Sequence, residues 1–318
     1  MAPIDDHTSA DRTSEDAPLK PLETRCGFVA LIGAPNAGKS TLLNRLVGTK
    51  ISIVTHKVQT TRAIMRGIAL EGVSQIIFVD TPGIFRPKRR LDRAMVDTAW
   101  GGAKDADLVS LLVDAERGLG DDVNGILGKL ADVRQPKILI LNKIDQVRRD
   151  VLLEMAMKAN DRVRFEQTFM ISALSGDGCG DFLSYLAGAV PAGPWLYPDD
   201  QVSDLPLRAL AAEITREKLF LRLHDELPYA STVETEQWKD QDDGSARIEQ
   251  TIYVERESQK RIVIGHKGET IKAISMAARA DIQQMAEKPV HLFLFVKVRE
   301  NWGDDPERYR EMGIEFPR

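Results

Sequence analysis

Residues 28–46 read Phe28-Val29-Ala30-Leu31-Ile32-Gly33-Ala34-Pro35-Asn36-Ala37-Gly38-Lys39-Ser40-Thr41-Leu42-Leu43-Asn44-Arg45-Leu46. Five apolar residues in a row predict a strand covered on both faces. The next eight fit G-x-x-x-x-G-K-[ST], and 40–46 keep the spacing of a helix. Strand, Gly-bounded loop and helix N-terminus together form an anion cradle. The glycines let backbone N–H groups wrap phosphates, Lys39 reaches the β and γ oxygens, and the Ser40 hydroxyl is a Mg²⁺ ligand. Gly33, Ala34, Pro35, Asn36, Ala37, Gly38, Lys39, Ser40 and Thr41 are therefore candidate nucleotide contacts.

Outward from this loop, short apolar runs recur at 76–79, 108–113, 137–141 and 168–171. Helical spacing fills 91–103, 123–130 and 181–189, and 64–70 reads as an edge strand. That alternation predicts an α/β domain with a mainly parallel sheet and flanking helices. Asp80-Thr81-Pro82-Gly83 fits D-x-x-G at the end of the 76–79 run, whereas matches at 122–125 and 177–180 end no strand. A carboxylate there can hold Mg²⁺ through water, and the Gly83 N–H, with Ile84 beside it, can sense a γ-phosphate. Asn142-Lys143-Ile144-Asp145 fits N-K-x-D at the end of the 137–141 run. Asp145 offers two acceptors to guanine N1–H and its 2-amino group, donors that adenine lacks, so the site selects GTP. Ser172-Ala173-Leu174, ending the last strand, can present a backbone N–H to guanine O6, a signal that means nothing alone. In the polar stretch Gln59-Thr60-Thr61-Arg62, a hydroxyl can complete the Mg²⁺ shell while the γ-phosphate is present. Thr61 is the expected residue, with Thr60 the alternative.

With these four motifs in order, the first domain resembles the translation-factor-type P-loop GTPases, and its Era-like branch in particular. The resemblance implies slow GTP hydrolysis. The position that carries a water-orienting Gln in Ras-type proteins is Ile84, which cannot serve. An Asn in the phosphate loop, here Asn36, goes in that branch with K⁺ held against the phosphates. Lys39, Asn36 and Thr61 are accordingly the expected catalytic residues, with Mg²⁺ and K⁺ as the expected ions.

A second constellation lies beyond a proline-rich stretch at 191–206. There the pattern predicts helix 208–226, strands 231–237 and 247–255, helices 258–263 and 269–286, and strand 290–299. Gly265-His266-Lys267-Gly268 sits between the two helices, and 256–272 holds five cations against two anions. A sharp Gly-bounded turn with a cation, opening a helix, is how KH domains grip single-stranded nucleic acid. Arg261, Ile262, Ile264, Gly265, His266, Lys267, Gly268 and Lys272 are the candidate RNA contacts. Era-like GTPases with a C-terminal KH domain of the bacterial arrangement are similar to this chain over 26–318. That resemblance implies action on the 3′ end of small-subunit (16S) ribosomal RNA in assembly of that subunit. It also implies peripheral association with the inner membrane. The alternative is a GTPase whose second domain binds a protein or a membrane surface, the Gly-bounded loop being only a turn.

The expected organisation is a disordered tail (1–24), a GTPase domain (25–190), a linker (191–206) and a KH-type domain (207–318). The 318 residues carry 43 Lys and Arg against 48 Asp and Glu. A net charge of −5 confines any nucleic-acid site to a local patch. Two cysteines, Cys26 and Cys179, exclude a disulfide framework and a structural zinc site. The five histidines show no metal spacing, and no apolar run reaches the roughly 18 residues of a spanning helix. The start of the chain has no signal-peptide pattern. A cytoplasmic monomer, peripheral at the inner face of the membrane, is the expectation.

Overall fold

The computed structural model describes residues 23–55, 57, 61, 64–87, 90–300, 302 and 306. The expected tail up to residue 22, and Gln59, Thr60 and Arg62, lie outside the described residues.

The first domain is a six-stranded sheet in the order β2-β3-β1-β4-β5-β6. Its strands are β1 (Arg25–Gly33), β2 (Met65–Glu71), β3 (Ser74–Asp80), β4 (Leu108–Asp114), β5 (Lys137–Asn142) and β6 (Gln167–Ile171). All neighbours are parallel except β2 and β3, so the expected edge strand is the antiparallel one. β3 and β4 are buried at every position, because helices cover both faces. On one face α2 (Arg90–Asp105), α3 (Asp121–Leu130) and α4 (Arg149–Asn160) pack around Val109, Leu111 and Leu139. On the other, α1 (Lys39–Val47) and α5 (Cys179–Ala189) pack around Leu31, Phe78 and Ile140.

Two features depart from the sequence reading. Helix α4 has no counterpart there: Leu153 and Met157, 60% and 68% exposed, put apolar residues on its solvent side and blur the helical period. Thr24, expected in the disordered tail, is pinned. Its hydroxyl donates to the Gly193 carbonyl at 2.9 Å and its own carbonyl accepts the Gly193 N–H at 2.9 Å. Composition around Thr24 could not reveal a partner so distant in sequence.

Between α5 and α6 (Leu207–Arg222) the chain is bound to the sheet's β2–β3 side. The fully buried Gln75 accepts the Leu196 and Tyr197 N–H groups at 2.9 and 3.0 Å and donates to the Tyr197 carbonyl at 2.8 Å. Arg66 pairs with Asp204 at 2.7 Å. The second domain then adds β7 (Ser231–Asp240), β8 (Ala246–Val254), α7 (Glu257–Ile264), α8 (Glu269–Ala286) and β9 (Val290–Val298) to α6. Its sheet runs β7-β8-β9, antiparallel then parallel. Ala211 and Ile214 of α6 and Ala278 and Ile282 of α8 bury against Ile248 on one face. The α-β-β-α-α-β order matches the sequence reading.

Candidate functional site

The four motif loops of the first domain leave the ends of β1, β3, β5 and β6 and line one cavity of 540 Å³. Backbone geometry explains several of its residue types. Gly33 has φ +155°, and a Cβ there would lie 2.4 Å from the Leu112 carbonyl oxygen. Gly38 has φ +98°, and its Cβ would meet the Asn142 side-chain nitrogen at 2.1 Å. Glycine at 38 therefore makes room for Asn142 as well as for a phosphate. Asn36 is also left-handed, with φ 64°. The Asp80 loop lies directly on the phosphate loop: Ile84 N–H donates to the Gly33 carbonyl at 3.0 Å, and a Cβ on Gly83 would touch the Pro35 backbone at 3.0 Å. Thr81 anchors that crossing, its hydroxyl donating to the Leu31 carbonyl at 2.8 Å. Ile84 itself is buried in the core between α2 and the sheet.

At the floor, the Lys39 ammonium is buried and donates to the Gly33 and Ala34 carbonyls, both at 3.1 Å. Burial lowers its pKa to about 8, with nearby Asp80 opposing the shift. Asp80 is fully buried, and that burial raises its pKa while Lys39 and three hydroxyls pull the other way. Those hydroxyls belong to Ser40, Ser52 and Thr61. Ser40 Oγ donates to Asp80 Oδ2 at 2.9 Å and lies 3.1 Å from Thr61 Oγ1. Among the described residues, Asp80 Oδ1 is buried with no hydrogen-bond partner. A buried carboxylate oxygen without a donor, beside converging hydroxyls, is a donor set suited to a hard cation such as Mg²⁺. Ser40, Thr61 and Asp80, far apart in sequence, are thus brought together. Ser52, whose hydroxyl donates to Asp80 Oδ2 at 3.0 Å, was missed by sequence reading because it belongs to no spaced motif.

At the opposite end, Asp145 sits exposed on a single 3-10 turn spanning Ile144–Gln146. The Ser172 hydroxyl, then the Gln146 amide, hold its carboxyl below the usual range, so it stands as an ionised acceptor. Asn142, 2% exposed, faces inward and ties the two ends together. Its side-chain nitrogen donates to the Ala37 carbonyl at 2.8 Å and its oxygen accepts the Ala173 N–H at 2.9 Å. The Ser172 N–H donates to the Asp177 carbonyl at 3.0 Å. Of the three amides that the sequence offers to guanine O6, those of Ser172 and Ala173 donate within the protein in this structure. Lys143, with φ 67°, pairs with Asp114 at 2.5 Å.

A larger cleft of 740 Å³ opens beside Ala34 and Pro35, between α3 and the second domain. Asp92, Asp121, Asp122 and Glu226 line it beside Arg86 and Arg117, four anions against two cations, whereas Lys39, Ser40 and Asp145 line the other cavity.

On the second domain, α7 ends at Ile264 and α8 begins at Glu269, joined by a tight corner. Gly265 has φ 76° and ψ 175°, a backbone open essentially to glycine alone, and a Cβ there would fall 2.2 Å from the Thr270 hydroxyl. Lys267 and Gly268 have φ 48° and 82°. Arg261, Ile262, His266, Lys267 and Lys272 are exposed around the corner, while Ile264 is half-buried. A second Gly-x-x-Gly, Gly125 to Gly128, lies within α3 and forms no such corner. The corner thus presents cations and apolar side chains beside the N-terminus of an 18-residue helix, a setting for an anionic backbone.

Comparison with known proteins agrees with this architecture. A family model described as 50S ribosome-binding GTPase matches residues 28–143, and a KH domain model matches 226–303. GTPase Era of Rhizobium meliloti (strain 1021) is 69% identical over 306 residues, covering 96% of this chain and 98% of its own. GTPase Era of Brucella suis biovar 1 (strain 1330) is 70% identical over 295 residues, covering 93% and 95%. A solved structure of Era in complex with MgGDPNP and nucleotides 1506–1542 of 16S ribosomal RNA superposes with a TM-score of 0.86. It shares 36% identity and covers 91% of this chain and 99% of its own. Aquifex aeolicus Era Y63A bound to GDP·AlF4⁻ superposes with the same score, identity and coverage. With a phosphate-loop site and a Gly-x-x-Gly corner in one chain, and with relatives this similar over nearly its whole length, the protein belongs to the Era family of GTPases.

Proposed function

We propose that this GTPase is a guanine-nucleotide switch controlling a grip on single-stranded RNA, and that its RNA is the 3′ end of small-subunit ribosomal RNA during assembly of that subunit. One observation carries the reading: the four motif loops line a single cavity in the same chain that presents the exposed cationic corner at 265–268. The RNA assignment rests on the relative solved with 16S ribosomal RNA nucleotides.

In this reading Lys39 and the phosphate-loop backbone hold the phosphates, and Asp145 selects guanine. Ser40, Thr61 and Asp80 hold Mg²⁺, which supplies charge neutralisation on the phosphoryl group. The buried Ile84 has no polar group with which to orient water, so turnover relies on positioning and charge. Asn36, which lines the cavity beside Lys39, is the residue expected to make K⁺ stimulate hydrolysis. On the second domain, Lys267, Arg261 and Lys272 meet phosphates, Gly265 and Gly268 allow close backbone approach, and Ile262 and Ile264 meet bases. The same reading includes a cytoplasmic monomer with peripheral membrane association, which the family resemblance alone supports.

The test is the affinity of the full chain for a short single-stranded 3′ ribosomal RNA fragment, with a GTP analogue against GDP, and with Gly265→Asp alongside. Tighter binding with the analogue, lost in the variant, is expected. Equal affinity in both nucleotide states would remove the switch, and no RNA binding in either would move the second domain to a protein or membrane partner.

A further inference from the structure

The nucleotide cavity is not walled by the first domain alone. Leu221 of α6, 52% exposed, lines it together with Val54 and Leu174, which are 40% and 74% exposed. Three of the chain's exposed large apolar side chains thus converge on one cavity whose floor carries Lys39, Ser40 and Thr61. A polar floor under an apolar rim suits a nucleotide, with phosphates below and the nucleoside above.

The segment that carries Val54 is held by the second domain as well. Glu217, in the middle of α6, has a side chain only 4% exposed. One of its oxygens accepts the Val54 N–H at 3.0 Å; the other pairs with Lys50 at 2.5 Å and with Lys218 at 3.1 Å. Asp281 of α8 joins Lys50 and Lys218 at 2.9 and 2.5 Å. Farther along, the Lys57 ammonium donates to the carbonyls of Phe220 and Leu223, which lie at the α6 C-terminus, where helix carbonyls lack intrahelical donors. Burying a carboxylate is costly unless it is paired, and of the groups that pair with Glu217 here, the Lys50 ammonium and the Val54 amide come from the first domain. The same segment meets the Mg²⁺-side cluster through Ser52, which shares Asp80 Oδ2 with Ser40, itself 3.1 Å from the Thr61 hydroxyl.

We infer that the second domain completes the nucleotide pocket: Leu221 is a contact of the nucleotide, and Glu217 is a positioning residue that holds the Lys50–Val54 segment, which carries Ser52 against Asp80. The inference rests on the GTP reading above and deepens it. It makes α6 the element through which nucleotide affinity and the RNA-binding domain are coupled, reciprocally by linkage.

The test uses the full chain and two fluorescent probes, N-methylanthraniloyl-GDP and the N-methylanthraniloyl β,γ-imido analogue of GTP. Leu221→Ala, at an exposed position, is expected to weaken both probes on the order of fivefold with an unchanged melting curve. Glu217→Gln is expected to weaken the imido analogue several-fold more than GDP, because only the analogue has the γ-phosphate that the Ser40, Thr61 and Asp80 cluster beside Ser52 would sense. Lys57→Met is expected to shift the same ratio and serves if Glu217→Gln fails to fold. A merely structural role would lower the melting temperature and leave the ratio alone. Wild-type affinity within twofold for Leu221→Ala, or an unchanged ratio in a folded Glu217 or Lys57 variant, overturns the inference. A wild-type chain that binds neither probe would instead overturn the GTP reading itself.

Discussion

Asn142 offers the sharpest test of how the site is built. It touches no solvent to speak of, and its amide bridges the phosphate loop at Ala37 to the base-side loop at Ala173. Asn142→Ala removes a donor from one buried backbone group and an acceptor from another. Leaving a buried polar group unsatisfied costs about 1–3 kcal/mol each, so the variant should lose about 2–6 kcal/mol. For a chain with domains of this size, that lowers Tm by roughly 4–24 °C. GDP affinity should fall too, because the two ends of the pocket are no longer held in register. Asn142→Asp separates shape from hydrogen bonding. Its carboxylate still accepts the Ala173 N–H but sets a second oxygen against the Ala37 carbonyl. Burial raises the pKa of such a carboxyl, and its protonated form can donate to Ala37. A raised folded-state pKa contributes stability at low pH that is lost as pH rises through it. The Asp variant should therefore gain on the Ala variant as pH falls. Thermal melts across pH, with GDP titrations at each point, make the measurement. An Asn142→Ala protein that melts within a degree of wild type and binds GDP equally well would refute the reasoning.

Further outcomes follow from the same geometry. Lys39 carries a pKa lowered to about 8 by burial, and phosphates would raise it, so GDP affinity should be full below pH 8 and weaken as pH rises through it; a flat profile to pH 9.5 would contradict this. Gly265→Ala puts a Cβ 2.2 Å from the Thr270 hydroxyl on a strained backbone, and should abolish RNA binding while leaving GTP turnover intact. Its cost should be about 2–4 kcal/mol by denaturant unfolding, only partly relieved by adding Thr270→Gly, since the positive-φ strain remains. Hydrolysis measured in K⁺ should exceed that in Na⁺ at equal ionic strength, and Asn36→Ala should erase the difference; equal rates in wild type would remove K⁺ from the mechanism.

The parts of this protein that could be read from the chain are those whose chemistry is local. Strands β1, β3, β4 and β5 announced themselves because a parallel strand covered on both faces is apolar at nearly every position. The Gly33–Ser40, Asp80–Gly83 and Asn142–Asp145 motifs were legible because each sits within a few residues of a strand end, where backbone direction sets what the side chains meet. The second domain's element order and its Gly265 corner were legible for the same reason. Helix α4 was not, because Leu153 and Met157 face solvent and break the periodic signal. Nor did the motif show that Asn142 would claim the Ala173 amide, since the two are 31 residues apart and meet only when β5 and β6 pair. Tertiary structure alone decided the rest: Ser52 on Asp80, Gln75 binding the stretch before α6, and Lys50 on Glu217 across 167 residues. Residue type and spacing determine what a loop can bind, but a contact between distant segments exists only after the chain has folded and its domains have docked. No periodicity in the chain records which carboxylate will lie beneath which amide.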